Sequence, residues 1–100
     1  CSGQTSVNKD GYPLYAGNMS AQISKSIDNI ETVLQQAGFE LSDIVQLKYY
    51  TTDIAAFSAA TEEHLDRISK LNCRPTSTLI GLTALFHPDT MVEIEAIAVK

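Results

Sequence analysis

The chain has 100 residues, a formal net charge of −5 and 44% apolar residues. This length fits one domain, and the composition is that of a folded globular protein rather than a disordered chain. No apolar run approaches the roughly 18–20 residues that cross a bilayer. The seven Lys and Arg residues are scattered, so nothing clusters to neutralise phosphates, and we expect no nucleic-acid and no membrane partner.

The two cysteines, Cys1 and Cys73, form no Cys-x-x-Cys motif and are too few for a disulfide scaffold. Reduced thiols in a reducing compartment are the simpler interpretation. We therefore expect a cytoplasmic protein.

The clearest element in the sequence is a helix over residues 20–37. Asn18 or Ser20 can cap its start, and Gly38 stands where a left-handed residue ends many helices. Apolar residues recur along it at the three- and four-residue spacing of one helical face, namely Ile23, Ile27, Ile30, Leu34 and Ala37.

A strand is predicted over residues 44–52, with Val45, Leu47, Tyr49 and Thr51 on one face and Ile44, Gln46, Lys48 and Tyr50 on the other. A second helix follows over residues 55–71. Its inward residues are predicted to be Phe57, His64, Leu65, Ile68 and Leu71, and Glu63 and Arg67 lie one turn apart in the favourable order for an ion pair.

Two further strands are predicted over residues 76–85 and 91–99. The connection between them is short, so we expect them to be antiparallel neighbours. The order of elements indicates an α+β fold with helices on one face of a mixed sheet.

The last predicted strand is mostly apolar on both faces. Val92, Ile94, Ala96 and Ala98 suit the helices, and the opposite face carries Met91, Glu93, Glu95, Ile97 and Val99. With helices on only one side, a single chain would expose an apolar patch, and such patches usually mark interfaces. We infer a homo-oligomer that covers the second face.

The C-terminal third resembles the signature region of the RidA/YjgF family, also called endoribonuclease L-PSP. The matching residues are 73–82, Cys-Arg-Pro-Thr-Ser-Thr-Leu-Ile-Gly-Leu, and 92–99, Val-Glu-Ile-Glu-Ala-Ile-Ala-Val. Residues 2–5, 22–38 and 41–45, together with Thr52, Asp53 and Phe57, fit the family in the same order, so the resemblance spans essentially the whole chain.

The resemblance implies a chorismate-mutase-like fold and a homotrimer with small-molecule clefts between subunits. Its best-known members hydrolyse enamines and imines derived from amino acids, such as 2-aminoacrylate, to ketoacids and ammonia. Such a hydrolase needs neither a metal nor an organic cofactor. Glu93 matches the family's cleft glutamate, which positions water and carries a proton, and Ser2 and Gly3 match a segment that lines the cleft.

The chain departs from the family at Ser77. Deaminating members carry an arginine two residues after the proline, where it binds the substrate carboxylate by two charge-assisted hydrogen bonds. A serine hydroxyl in its place is expected to lose about 1–5 kcal/mol of carboxylate binding. Ser77 and Thr78 then orient the substrate by their hydroxyls, and Arg74 is an alternative carboxylate ligand if the chain turns at Pro75.

The chain also starts at the Ser-Gly-Gln segment, whereas family members usually carry an upstream strand. We expect that this N-terminal strand has been trimmed from a single domain over residues 1–100. The alternative is a processed protein in which Cys1 acts as a functional N-terminal residue.

Three other hypotheses about function stay open. The first is a non-catalytic protein that binds or senses a small metabolite and kept the cleft after losing the arginine. The second, an endoribonuclease, follows only from the family label. The third is a Ser-His-Asp triad, which needs His64 or His87 near a serine; His64 is expected in the core and His87 in a solvated turn, and the scattered histidines do not predict a metal site.

Overall fold

The computed structural model describes residues 4–5, 14–15, 17–70, 75–85 and 87–99. The elements in chain order are β1 (Gln4–Thr5), α1 (Met19–Gln36), a 3-10 turn (Leu41–Asp43), β2 (Ile44–Thr51), α2 (Ile54–Lys70), β3 (Thr76–Gly81) and β4 (Val92–Ala98). Both helices and strands β2 and β4 lie within two residues of their predicted bounds. Strand β3 is shorter than predicted, because β2, the neighbour with which it pairs, ends at Thr51 opposite Gly81.

Helix α1 has the ends that its sequence predicts. The side chain of Asn18 accepts a hydrogen bond from the backbone N–H of Ala21 at 3.1 Å, and Gly38 follows the helix with a φ of 84°, a conformation that costs a residue without a Cβ little. The apolar stripe of α1 is buried, consisting of Met19, Ile23, Ile27, Ile30 and Leu34. Ala37 lies beyond the helix and is exposed.

The sheet has the strand order β1-β4-β2-β3. Strands β3 and β4 are therefore not neighbours, and the prediction that they pair with each other is wrong. Strand β2 lies between them, parallel to β3 and antiparallel to β4. The parallel pair is joined through α2, as parallel strands require a long crossover, and the segment after β3 carries the chain past β2 to its other edge.

A β-bulge in β2 reverses part of its predicted alternation. The pairing with β4 shifts between Ile44 and Gln46, and an extra residue in one strand moves the side chains before it to the other face. Ile44 is consequently buried and Val45 is 48% exposed, whereas Val45 was predicted to share a face with Leu47. Beyond the bulge, Leu47, Tyr49 and Thr51 share one face as predicted, and that face lies against the core.

The core lies between the two helices and one face of the sheet. Strand β4 contributes Val92, Ile94 and Ala96, and α2 contributes Phe57, His64 and Ile68, all buried. Leu65, predicted to face inward, is 49% exposed. Leu71, also predicted inward, lies outside the described residues.

The two helices are joined by an ion pair that differs from the predicted one. The guanidinium of Arg67 lies 2.6 Å from Asp28 of α1 and donates to the backbone oxygen of Ser24 at 3.2 Å. Glu63, the predicted partner of Arg67, instead lies 3.4 Å from the hydroxyl of Ser20. Across the part of the chain that the structure describes, no helix is long and apolar enough to span a bilayer.

Candidate active site

The candidate site lies on the sheet surface that faces away from the helices, which we call the open face. Side chains alternate along each strand, so the residues between the buried positions share this surface. Its members are Gln46, Lys48 and Tyr50 of β2, Thr76, Thr78 and Ile80 of β3, and Glu93, Glu95 and Ile97 of β4. The open face is more polar than predicted, and Met91 packs against the core cluster instead.

The strand register arranges these residues in rows. Glu93 is directly opposite Tyr50, which in turn pairs with Ile80. Glu95 is opposite Lys48, which pairs with Thr78 on its other side. Neighbouring strands are about 4.8 Å apart, so the two glutamates, the lysine and the tyrosine form one compact group.

Glu93 is the carboxyl group best suited to carry a proton. It is half-buried, and burial, followed by the negative charge of Glu95, raises the pKa of its carboxyl above the ordinary value. A carboxyl group with a raised pKa can donate and accept a proton nearer to neutral pH. Glu93 therefore has the properties of a general acid–base.

Glu95 is held by a neighbouring tyrosine. The hydroxyl of Tyr50 donates a hydrogen bond to Oε2 of Glu95 at 3.2 Å. Partial burial, then this hydrogen bond and the charges of Glu95 and Glu93, raise the pKa of Tyr50. Tyr50 consequently stays protonated and remains a hydrogen-bond donor to Glu95.

A buried glutamine fixes the entry of the chain into β4, just before Glu93. The side-chain oxygen of Gln22 accepts the backbone N–H of Met91 at 2.8 Å, and its amide nitrogen donates to the backbone oxygen of Asp89 at 2.7 Å. Gln22 is fully buried in α1, so α1 sets where β4 begins.

The structure brings together some of the predicted site residues and separates others. Thr78 shares the open face with Glu93. Ser77 pairs with Leu47 and therefore points to the helix side of the sheet, where it is exposed at the edge strand. Ser77 and Glu93 of one chain thus lie on opposite faces. Ser2, Gly3 and Arg74 lie outside the described residues.

The histidines do not form a triad with a serine in the described chain. Nε2 of His64 lies 2.8 Å from the hydroxyl of Tyr49 in the core, as the sequence predicted, and Nδ1 of His87 accepts the backbone N–H of Asp89 at 3.1 Å. Across the described ranges, no group of three or more His, Cys, Asp and Glu side chains is placed to hold a metal ion.

A separate cleft lies elsewhere, on the helix side. Its volume is about 680 Å³, and it is lined mainly by α2, including Ala56, Ala60 and Glu63. It shares no residue with the open face. We therefore place the chemistry at Glu93 rather than in this cleft.

Lys48 and Tyr50 were not singled out from the sequence. The alternation of β2 does place both of them on the face away from Leu47 and Tyr49, so the sequence predicts which face they share. Their proximity to Glu93 and Glu95 depends on the pairing of β2 with β4, which the sequence did not predict.

Comparison with protein families gives a match over the whole chain. Residues 1–100 match the family model described as endoribonuclease L-PSP. Among individual proteins, mmf2 of Schizosaccharomyces pombe, named as mitochondrial, is 32% identical over 100 residues, covering 100% of this chain and 78% of the relative. The 2-iminobutanoate/2-iminopropanoate deaminase of Escherichia coli K12 is 28% identical over 99 residues, covering 99% of this chain and 77% of the relative.

A solved structure has the same fold. The crystal structure of the YjgF gene product from Escherichia coli superposes with a TM-score of 0.86 at 30% identity, covering 99% of this chain and 77% of the other. The predicted YjgF-like architecture, with two helices on one face of a mixed sheet, is confirmed.

Proposed function

Because the chain belongs to the endoribonuclease L-PSP family, also known as RidA/YjgF, we propose that it hydrolyses a small imine or enamine to a carbonyl compound and ammonia. The observation that carries this proposal is Glu93. It is a half-buried carboxyl group with a raised pKa, on the strand face that is free of helices. A relative named as a 2-iminobutanoate/2-iminopropanoate deaminase supports the reaction type.

The reaction consumes one water. An enamine first gains a proton on carbon and loses one from nitrogen, which makes it an imine. Water then adds to the imine carbon as one of its protons passes to the nitrogen. The hydroxyl proton of the resulting carbinolamine then moves to the nitrogen, the carbon–nitrogen bond breaks, and ammonia leaves as the carbonyl forms. Glu93 orients the water, takes its proton and returns a proton to the nitrogen, a task for which the raised pKa of its carboxyl suits it better than an ordinary carboxylate.

We propose that the site is completed between subunits of a homotrimer. Two observations support assembly: Glu93 and Ser77 lie on opposite faces of one chain, and Ile97, which is 49% exposed, adds an apolar area to the open face. Ser77, Ser2 and Gly3 of a neighbouring chain then form the wall opposite Glu93, with Thr78 beside it. Each chain contributes a single domain, residues 1–100, to this assembly.

The experiment is hydrolysis of freshly generated 2-aminoacrylate, measured as ammonia and pyruvate release. We expect acceleration over buffer, and a loss of at least about 100-fold in Glu93→Gln, as general acid–base catalysis contributes 10²–10⁴-fold. Glu62→Gln is the matched control, because Glu62 is exposed on α2, and this variant should retain full activity. Equal rates with wild-type protein and with buffer, or full activity of Glu93→Gln, would refute the proposal.

The second candidate is a non-catalytic protein that binds a small metabolite. The serine at position 77 favours it, because the resemblance to deaminating family members implies an arginine here as the ligand of the substrate carboxylate. Saturable binding of a small acid or neutral metabolite, without ammonia release from any imine tested, would favour this candidate over the hydrolase.

An endoribonuclease is the third candidate and rests on the family label alone. The net charge of −5 opposes binding to a polyanion. Cleavage of RNA that persists after substitution of both Glu93 and Ser77 would point to a contaminant or another site. The cytoplasmic location stays a prediction, to be compared with the mitochondrial name of one relative.

A further inference from the structure

Lys48 occupies a central position on the open face. It is the one lysine or arginine in the described strands, and its two cross-strand neighbours are Glu95 and Thr78. Cross-strand register puts side chains of such pairs on the same surface within a few ångströms. Lys48 therefore lies beside β4, the strand that carries Glu93, and beside Thr78, which we propose to bind the substrate.

Lys48 forms no ion pair with the described carboxylates. The ion pairs of the described chain are made by Arg67 and Lys70. Glu95, which lies directly opposite Lys48, accepts its hydrogen bond from Tyr50 instead. Tyr50 thus occupies one oxygen of the carboxylate that would otherwise pair with Lys48. The ammonium of Lys48 is left available to bind a ligand.

The distances suit a small substrate that contacts both Lys48 and Glu93. Glu93 lies opposite Tyr50, two residues along β2 from Lys48, and diagonal neighbours of this kind are about 7–8 Å apart across a strand pair. The flexible four-carbon stem of lysine covers part of this distance. In an α-imino acid the carboxylate is bonded directly to the imine carbon, so the two groups must be held this close together.

We propose that Lys48, assisted by the hydroxyl of Thr78, binds the carboxylate of an α-imino or α-enamino acid and so takes the role left empty by Ser77. This inference rests on the proposed function and adds to it the residue that binds the substrate carboxylate. Lysine is a point charge rather than a planar fork, so the carboxylate is held by its charge and its orientation is set by Thr78. Tyr50 is a positioning residue, because it keeps Glu95 away from the ammonium.

The test compares two ligands that differ only in charge, pyruvate and its neutral analogue pyruvamide, by titration calorimetry or NMR. Wild-type protein is expected to bind pyruvate about 10- to 100-fold more tightly than pyruvamide, as one charge-assisted contact contributes. Lys48→Gln should abolish this preference, and Lys48→Arg should retain it. Lys25→Gln, which removes the same charge from α1, is the matched control and should leave the preference unchanged.

A kinetic experiment adds a second measurement. For 2-aminoacrylate, Lys48→Gln should raise KM about 10- to 100-fold with little change in kcat. This pattern is expected when a substitution weakens binding of the substrate and of the transition state equally. Lys48→Gln combined with Ser77→Arg should recover at least part of the lost affinity. Circular dichroism confirms that each variant is folded.

The outcomes separate this inference from the proposed function. A pyruvate preference that depends on Lys48, in a protein that releases no ammonia, refutes the hydrolase and keeps the carboxylate site. Wild-type binding of pyruvate and pyruvamide with equal affinity overturns the inference. So does a preference that survives Lys48→Gln but disappears in Arg74→Gln, because Arg74 then holds the carboxylate.

Discussion

Nε2 of His64 lies 2.8 Å from the hydroxyl of Tyr49, and this buried pair joins α2 to the central strand of the sheet. The second ring nitrogen, Nδ1, is also buried and has no hydrogen-bond partner in the described part of the chain. Burial, and then the positive charge of Arg67, lower the pKa of His64 from 6.5 to about 4. The histidine is therefore neutral in the folded protein at physiological pH.

This shift predicts a loss of stability in mild acid. The unfolded chain takes up a proton on His64 as the pH falls below about 6.5, whereas the folded chain resists protonation until about pH 4. The contribution of neutral His64 to stability is thus fully present above pH 6.5. Between pH 6.5 and 4 the free energy of unfolding falls by up to about 3 kcal/mol. Urea unfolding at pH 7 and pH 4.5 measures it. His64→Gln should show a smaller difference between the two pH values; an equal difference would place the acid sensitivity elsewhere.

A second prediction concerns the charge of Glu95. This charge contributes to the raised pKa of Glu93, so Glu95→Gln should lower the pKa of Glu93. If Glu93 acts as the proton donor, the high-pH limb of the kcat/KM profile then moves to lower pH. The measurement is a pH–rate profile for imine hydrolysis. Glu62→Gln provides the control, and a profile unchanged by Glu95→Gln would show that Glu95 does not influence the reacting proton.

A third prediction distinguishes the interface from the rest of the surface. Ile97 on the open face and Leu65 on α2 are both 49% exposed. Ile97→Asp should convert a trimer to single chains in sedimentation velocity, because it places a charge in the proposed contact. Leu65→Asp should leave the trimer intact. Dissociation by both variants, or a wild-type chain that sediments alone, would contradict the proposed assembly.

A fourth prediction concerns the buried glutamine of α1. Gln22→Leu leaves the backbone N–H of Met91 and the backbone oxygen of Asp89 without the partners they have now. Unsatisfied buried groups cost about 1–3 kcal/mol, and we expect a loss of free energy of unfolding in that range, measured by urea denaturation. Gln36→Leu, exposed in the same helix, should change stability by less than about 0.5 kcal/mol.

The elements that the sequence predicts well are those with local signals. Helix α1 has a repeating apolar stripe, a capping Asn18 and a terminal Gly38, and all three features are confirmed. The order of the strands could not be predicted from local signals, because it depends on pairing between distant segments. A short connection between β3 and β4 suggested a hairpin, yet β3 pairs in parallel with one edge of β2 and β4 pairs with the other edge.

The candidate site shows the same division. Glu93 could be picked from the sequence because it is a charged residue on an apolar strand and matches a family position. Lys48 and Tyr50 could not, since their closeness to the glutamates depends on strand register. The bulge at Ile44 and Val45 has no clear local signal either, as both residues are apolar and β-branched and each is acceptable on either face.

The central place of β2 also has a consequence for biosynthesis. Thr51 at the end of β2 pairs with Val92, the first residue of β4, and α2 and β3 are made in between. Contacts between segments so far apart form late, and they slow folding. While the ribosome is still adding α2 and β3, β2 has an unpaired edge, and we expect this stage of synthesis to be when the nascent chain is most prone to associate with other chains.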